Sequence, residues 1–177
     1  MFAPDLYVAL LRFAAERHRA QLVPGTDLPY LVHVTSVAAE VIAVLPDSDL
    51  ALACAFLHDV LEDTCKTHDE REAVAKDISE KFGADVAAGV WALTKDDRLP
   101  KSDQMSDSLR RIREQPHAVW AVKLADRITN LAPPPAHWTA EKRAAYRKEA
   151  VAIADALGEA NAALNARIRA KIAAYGA

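Results

Sequence analysis

Residues 55–64 read AFLHDVLEDT: a short apolar run ends in a histidine and an aspartate side by side, and two more acids follow within four residues. The alternatives are the wet end of a buried helix or half of a metal site. With His58 set at zero on a continuous helix, Glu62 falls at about 40°, Asp59 at about 100° and Asp63 at about 140°. One helix over 48–63 would therefore carry all four on one arc at its end, with Leu57 and Leu61 pointing elsewhere. Such crowding raises carboxylate pKa values by mutual repulsion unless a cation offsets it. An imidazole nitrogen beside a carboxylate oxygen suits Mn²⁺, Fe²⁺ or Zn²⁺ better than the all-oxygen cage of Mg²⁺.

Outward from this stretch the chain reads as helix almost everywhere. Glycine is scarce, at 5 of 177 residues, and alanine is frequent. Leu6, Leu10, Phe13 and Ala14 recur at helical spacing over 5–19. A loop follows at Pro24-Gly25, with Pro29 as first residue of a second helix reaching 45. Thr67 and Glu70 form a capping-box pattern for a helix that ends at Gly83. A short helix follows over ADVAAGVWALT, then a charged loop around Pro100, then helices near 102–114 and 117–130. Pro133, Pro134 and Pro135 interrupt the chain. Thr139 caps a long last segment, bent or broken near Gly158. No strand signal and no repeat emerges, so the expectation is an all-α fold, one compact bundle of about eight to ten helices over residues 1–177.

Composition excludes several classes. Hydrophobic residues are 51% and charged residues 27% of the chain, which is globular. A net charge of −3 does not suit a surface that wraps nucleic acid. Two cysteines, Cys54 and Cys65, make neither a disulfide framework nor a zinc ribbon. The N-terminus lacks a basic signal region, and no apolar run approaches the roughly 20 residues that span a bilayer. The expectation is a cytoplasmic protein with no membrane and no nucleic-acid partner.

Two residues adjacent in sequence cannot fill a coordination sphere. His33, in the apolar helix PYLVHVTSVAAEV, and Asp126, in AVKLADRITNL, are polar groups where core is expected, and each needs a partner. Each alone reads as a satisfied core residue; the occurrence of His33, His58-Asp59 and Asp126 in that order points to a metal site. His18, His117 and His137 read as ordinary polar side chains, and Trp91, Trp120 and Trp138 as core and anchors.

This order, H…HD…D, resembles the signature of the HD-domain metal-dependent phosphohydrolases. LHDVLEDT, FGADVAAGVWALTK and VKLADRITNL are similar to the hydrolase domain of the Rel/Spo alarmone enzymes, especially the stand-alone small alarmone hydrolases of the metazoan SpoT-homologue type. The likeness runs from about residue 7 to about 170 and includes LPYLVH. It implies one Mn²⁺ ion held by His33, His58, Asp59 and Asp126, with Fe²⁺ or Zn²⁺ as alternatives. It implies that Glu62 and Asp63 position or deprotonate the attacking water, and that Tyr30, Asn130 and Tyr146 meet the nucleotide. Lys123, one turn before Asp126, is expected to point at the same site, whereas Lys95, Arg98 and Lys101 are weaker candidates for meeting an anionic substrate. The implied reaction removes pyrophosphate from the ribose 3′ position of ppGpp or pppGpp.

Two departures from the family pattern concern the base. Leu22 and Val23 stand where a basic residue is expected before the turn, and NLAPPP lacks the usual basic residue after NL. Both leave the adenosine analogues ppApp and pppApp open as substrates. The competing readings are a related HD nucleotide phosphatase, such as an NADPH 2′-phosphatase, and a non-catalytic module that binds nucleotide or metal.

Overall fold

In a computed structural model, residues 3–135 and 137–175 are described. The ends of the expected 1–177 span, and Ala136 in the expected proline break, lie outside them. Ten α-helices and one 3-10 turn account for the elements among the described residues. An isolated Leu22–Pro29 bridge is the only β pairing there.

Capping accounts for most of the boundaries. Pro4 opens α1 (Pro4–Arg17), where its missing N–H costs nothing. Ser48 Oγ caps α3 (Asp49–Leu57), and Thr67 Oγ1 caps α5 (His68–Phe82). Gly83, with φ of 108°, separates α5 from α6 (Ala84–Leu93), as expected. α7 (Lys101–Arg113) and α8 (His117–Asn130) match the expected pair. Thr139 caps α9 (Ala140–Leu157), which gives way through the 3-10 turn Gly158–Ala160 to α10 (Ala162–Ala174). The helix α2 (Leu31–Ile42) starts two residues later than the proline signal suggested. Pairing of Val23 N–H with Leu28 O (2.8 Å) and Tyr30 N–H with Gln21 O (2.9 Å) draws Pro29 into a hairpin-like loop instead.

The expected helix over 48–63 is two helices. α3 ends at Leu57, and a one-turn helix α4 (Val60–Thr64) follows after a break at His58 and Asp59. The imidazole Nδ1 of His58 donates to the Ala55 carbonyl at 2.8 Å, the acceptor that a continuing helix would give to the Asp59 amide. Asp59 takes φ −100° and ψ −3°, a sparsely populated region common at functional sites.

α3 lies at the centre. Residues 51–57 are all buried, and an apolar surface all round marks a helix enclosed by others. α2 and α8 both pack on it and on each other, and α8 buries ten of its fourteen residues. α10 backs α8, while α1 and α6 cover other sides of α3. At Gly89 the α6 backbone comes so close to its neighbours that an added Cβ would lie 2.7 Å from Cys54 Sγ and 3.0 Å from Val119 Cγ2. Gly89→Ala is expected to lower unfolding stability by about 1–3 kcal/mol through overpacking, measured by urea denaturation. Stability unchanged or higher would show that the contact relaxes freely. Among the described residues no helix is long and apolar enough to cross a membrane.

Candidate metal centre and substrate cleft

The three mutually packed helices each deliver one polar side chain to a common point. His33 comes from the first turn of α2, His58 from the end of α3 and Asp126 from the middle of α8. One nitrogen or oxygen from each lies within 4.8 Å of the other two, a group able to hold a divalent cation. The imidazole Nε2 atoms are 3.3 Å apart, and Asp126 Oδ1 is 3.5 Å from His33 Nε2 and 3.8 Å from His58 Nε2. Asp59 joins from the break, with Oδ2 2.9 Å from His58 Nε2 and 3.5 Å from His33 Nε2. Ligand bonds of about 2.0–2.2 Å place neighbouring donors about 2.9–3.5 Å apart. The residues present therefore fit one cation.

The electrostatics favour positive charge at the same point. Burial works against ionisation of Asp126, but the Lys123 ammonium, a hydrogen bond from His33 and the charge on His58 outweigh it and hold the carboxyl well below the usual range. Asp59 is likewise disfavoured by burial and held low by His58 and His33. Burial alone would lower the pKa of His33, yet its bonds to Asp126 and Asp59 push it up to about 9. A buried and a half-buried carboxylate thus draw positive charge onto the imidazoles, and a bound cation would replace those protons. Nδ1 of His58 is committed to Ala55 O, which leaves Nε2 to face the centre.

The acids of α4 turn apart. Glu62 Oε2 accepts from the Lys95 backbone N–H at 3.0 Å, and Oε1 lies 3.4 Å from Lys95 Nζ. Asp63 Oδ2 accepts from Gln21 Nε2 at 2.7 Å on the other side. Burial, followed by the charge of Asp59, raises the Asp63 pKa. The single arc expected from a continuous helix is therefore a fan, because α4 is a separate turn. The end of the helix is not merely wet: three of the expected groups are buried together at a core junction.

The expected nucleotide contacts divide between the centre and a cleft, and Asn130 touches both, its Nδ2 donating to Asp126 Oδ1 at 2.5 Å. Asn130 and Tyr146 line a cleft of about 480 Å³ that opens beside His33. Tyr30 and Lys123 face the centre instead. Tyr30 Oη donates to Asp59 Oδ2 at 2.5 Å, and Lys123 Nζ lies 3.0 Å from Asp126 Oδ2, 8% exposed. The far walls of the cleft are Val23, Leu28, Val32, the three prolines and Trp138. Of these, Trp138 had read only as an anchor, and its ring meets Tyr146 edge-on at 5.4 Å. Three contributors were not singled out from the sequence, Gln21, Thr129 and Arg127, and a fourth, His18, had read as an ordinary polar side chain. Thr129 Oγ1 lies 3.5 Å from His33 Nδ1, and the Arg127 guanidinium sits 4.2 Å from the Tyr146 ring centroid. Helical spacing from Asp126 to Thr129 was an available signal, whereas the roles of Gln21 and Arg127 depend on contacts with Asp63 and Tyr146, distant in sequence.

This all-α arrangement, with a histidine, a His-Asp pair and a later aspartate converging from successive core helices, defines a class. The chain belongs to the HD-domain family, whose model matches residues 11–161. It is 32% identical over 165 residues to the zebrafish (Danio rerio) guanosine-3′,5′-bis(diphosphate) 3′-pyrophosphohydrolase MESH1, covering 90% of this chain and 88% of that protein. The Drosophila melanogaster MESH1 of the same description is 31% identical over 169 residues, 92% and 90% of the two chains. A solved structure described as a metazoan ortholog of SpoT that hydrolyzes ppGpp superimposes with a TM-score of 0.83 at 27% identity, over 99% of this chain and 98% of that one. The likeness read from the motifs thus extends over the whole fold.

Proposed function

We propose that this protein is an alarmone hydrolase that removes pyrophosphate from the ribose 3′ position of ppGpp or pppGpp, with Mn²⁺ held by His33, His58, Asp59 and Asp126. The observation that carries the reading is the group His33, His58 and Asp126, with Asp59 beside it, opening next to a cleft of about 480 Å³, in a chain similar along nearly its full length to enzymes named for that reaction. A bound divalent cation supplies charge that polarises a phosphoryl oxygen and makes water more acidic. Water adds to the phosphorus on the 3′ oxygen, the bond between that oxygen and phosphorus breaks, and the 3′ hydroxyl and free pyrophosphate result. Asp63, whose burial favours the protonated form, accepts the proton of the attacking water at its carboxylate. Glu62, anchored by Lys95, orients that water from the other side. Lys123 holds Asp126 in place, Tyr30 holds Asp59, and Asn130 and Tyr146 meet the sugar and phosphates.

The base would lie against apolar and aromatic walls. Val23 stands in that wall and Leu22 is 53% exposed beside it, so no basic side chain from this stretch grips the ring. A hydrophobic pocket separates close analogues by only about 10²-fold, whereas one built to hydrogen-bond a substituent reaches about 10⁴-fold or more. Adenosine and guanosine alarmones are therefore both expected as substrates, with kcat/KM values within about 10²-fold of each other. The test is a product assay on ppGpp, pppGpp, ppApp, pppApp and NADPH with Mn²⁺. Pyrophosphate from the alarmones, abolished by chelation and restored by Mn²⁺, is the expected result. Orthophosphate from NADPH alone would replace this reading with that of a phosphatase, and cation binding without turnover would make the chain a binding module.

A further inference from the structure

Asp63 is reached from outside its own helix by a two-link chain of hydrogen bonds. His18 follows the last turn of α1, is 3% exposed and lies against the Tyr30 ring, with centroids 4.9 Å apart. Its Nδ1 is 2.7 Å from Gln21 Oε1, and Gln21 Nε2 is 2.7 Å from Asp63 Oδ2. The chemistry of the far end fixes every proton in this chain. A carboxylate only accepts, so Gln21 turns its NH₂ towards Asp63. Its carbonyl oxygen then faces the imidazole and also only accepts, so Nδ1 of His18 carries the hydrogen. Nε2 is left bare, buried and without a partner, in keeping with a ring kept neutral by burial.

The backbone holds Gln21 equally firmly. Its N–H donates to His18 O at 2.9 Å, and its carbonyl accepts from Tyr30 N–H at 2.9 Å. Gln21 is therefore pinned between the end of α1 and the start of α2 while its side chain crosses to α4. A loop tether alone would need neither a buried neutral histidine behind the amide nor an amide of fixed orientation. We infer that Gln21 and His18 are positioning residues for Asp63: the amide fixes one carboxylate oxygen, the other is presented to the attacking water, and the imidazole locks the amide in the orientation that donates. This rests on the reading of Asp63 as the group that accepts the water's proton.

Gln21→Glu keeps the shape and the acceptor for His18 but replaces the donor to Asp63 with a like charge. His18→Asn puts an amide N–H near the place of Nδ1, and His18→Leu removes the donor. The experiment measures kcat and KM against pH on the Mn²⁺-loaded full chain with ppGpp, together with bound metal and melting temperature. Carbon NMR titration of the Asp63 carboxyl in the zinc-loaded protein adds a readout that needs no turnover. For Gln21→Glu, kcat is expected to fall about 10- to 100-fold with KM within about threefold and metal content unchanged. The acid limb moves to higher pH, because Asp63 is already raised by burial and by the charges of Asp59 and Glu62, and it loses the hydrogen bond that, with His18, favours its charged form. His18→Leu behaves like Gln21→Glu, and His18→Asn stays within about threefold of the parent.

Parent-like turnover of Gln21→Glu with an unmoved acid limb overturns the inference, as does a fall in kcat that only follows loss of metal or melting. If the parent releases no pyrophosphate, the proposed reaction fails by itself. The NMR titration then still decides: the same Asp63 midpoint in parent and Gln21→Glu sinks the positioning role.

Discussion

Replacing Asp126 with alanine is expected to strip the bound cation, to lower kcat at least about 10³-fold and to cost about 3–5 kcal/mol of stability. The carboxylate has two duties in two directions. Oδ1 faces His33 and His58 and accepts from Asn130 Nδ2, and Oδ2 faces the Lys123 ammonium at 3.0 Å. Without Asp126 the candidate cation site loses a buried anionic donor, and Lys123 becomes a buried charge with no partner. The two duties separate in the double variant Asp126→Ala/Lys123→Met. An apolar pair of similar volume is often as stable as a buried ion pair, so the stability should largely return. The metal should not. Metal content and urea denaturation of the single and double variants check both statements. Full metal occupancy in Asp126→Ala would show that the centre lies elsewhere.

Glu62→Gln and Asp63→Asn are expected to keep the metal and the fold while lowering kcat by about 10²- to 10⁴-fold, the usual worth of a positioned acid or base. Each change is nearly isosteric and reports mainly on charge. In Glu62→Gln a side-chain oxygen still accepts from the Lys95 backbone N–H, so the tether to the α6–α7 loop survives. In Asp63→Asn the bond from Gln21 also has an oxygen to meet, but no carboxylate is left to take up a proton. Single-turnover rates with pyrophosphate detection, beside metal analysis of the same samples, separate chemistry from binding. Full turnover by Glu62→Gln would leave Asp63 alone as the proton acceptor. Full turnover by both would remove the α4 acids from the mechanism.

The helices and the donor set were legible because they depend on local signals. Thr67, Thr139 and Gly83 end or begin helices through bonds within a few residues. His33 and Asp126 stood out because a polar group in an apolar helix needs a partner wherever it is. These features follow from periodicity, capping and the cost of burying polarity, and none needs knowledge of which helix packs on which.

Tertiary structure decided the rest. The break at His58 and Asp59 arises where a side chain competes with the backbone for one carbonyl, and it turned an expected arc of acids into a fan towards Lys95 and Gln21. Tyr30 and Lys123 face the candidate metal centre because the carboxylates of Asp59 and Asp126 are their partners. Trp138 reaches the cleft, and Arg127 stacks on Tyr146, only through the packing of segments distant in sequence. The sequence by itself determined which side chains must find partners; only the packing of α2, α3, α4 and α8 decided which partners they found, because a side chain's direction depends on helix boundaries and contacts that no local pattern encodes.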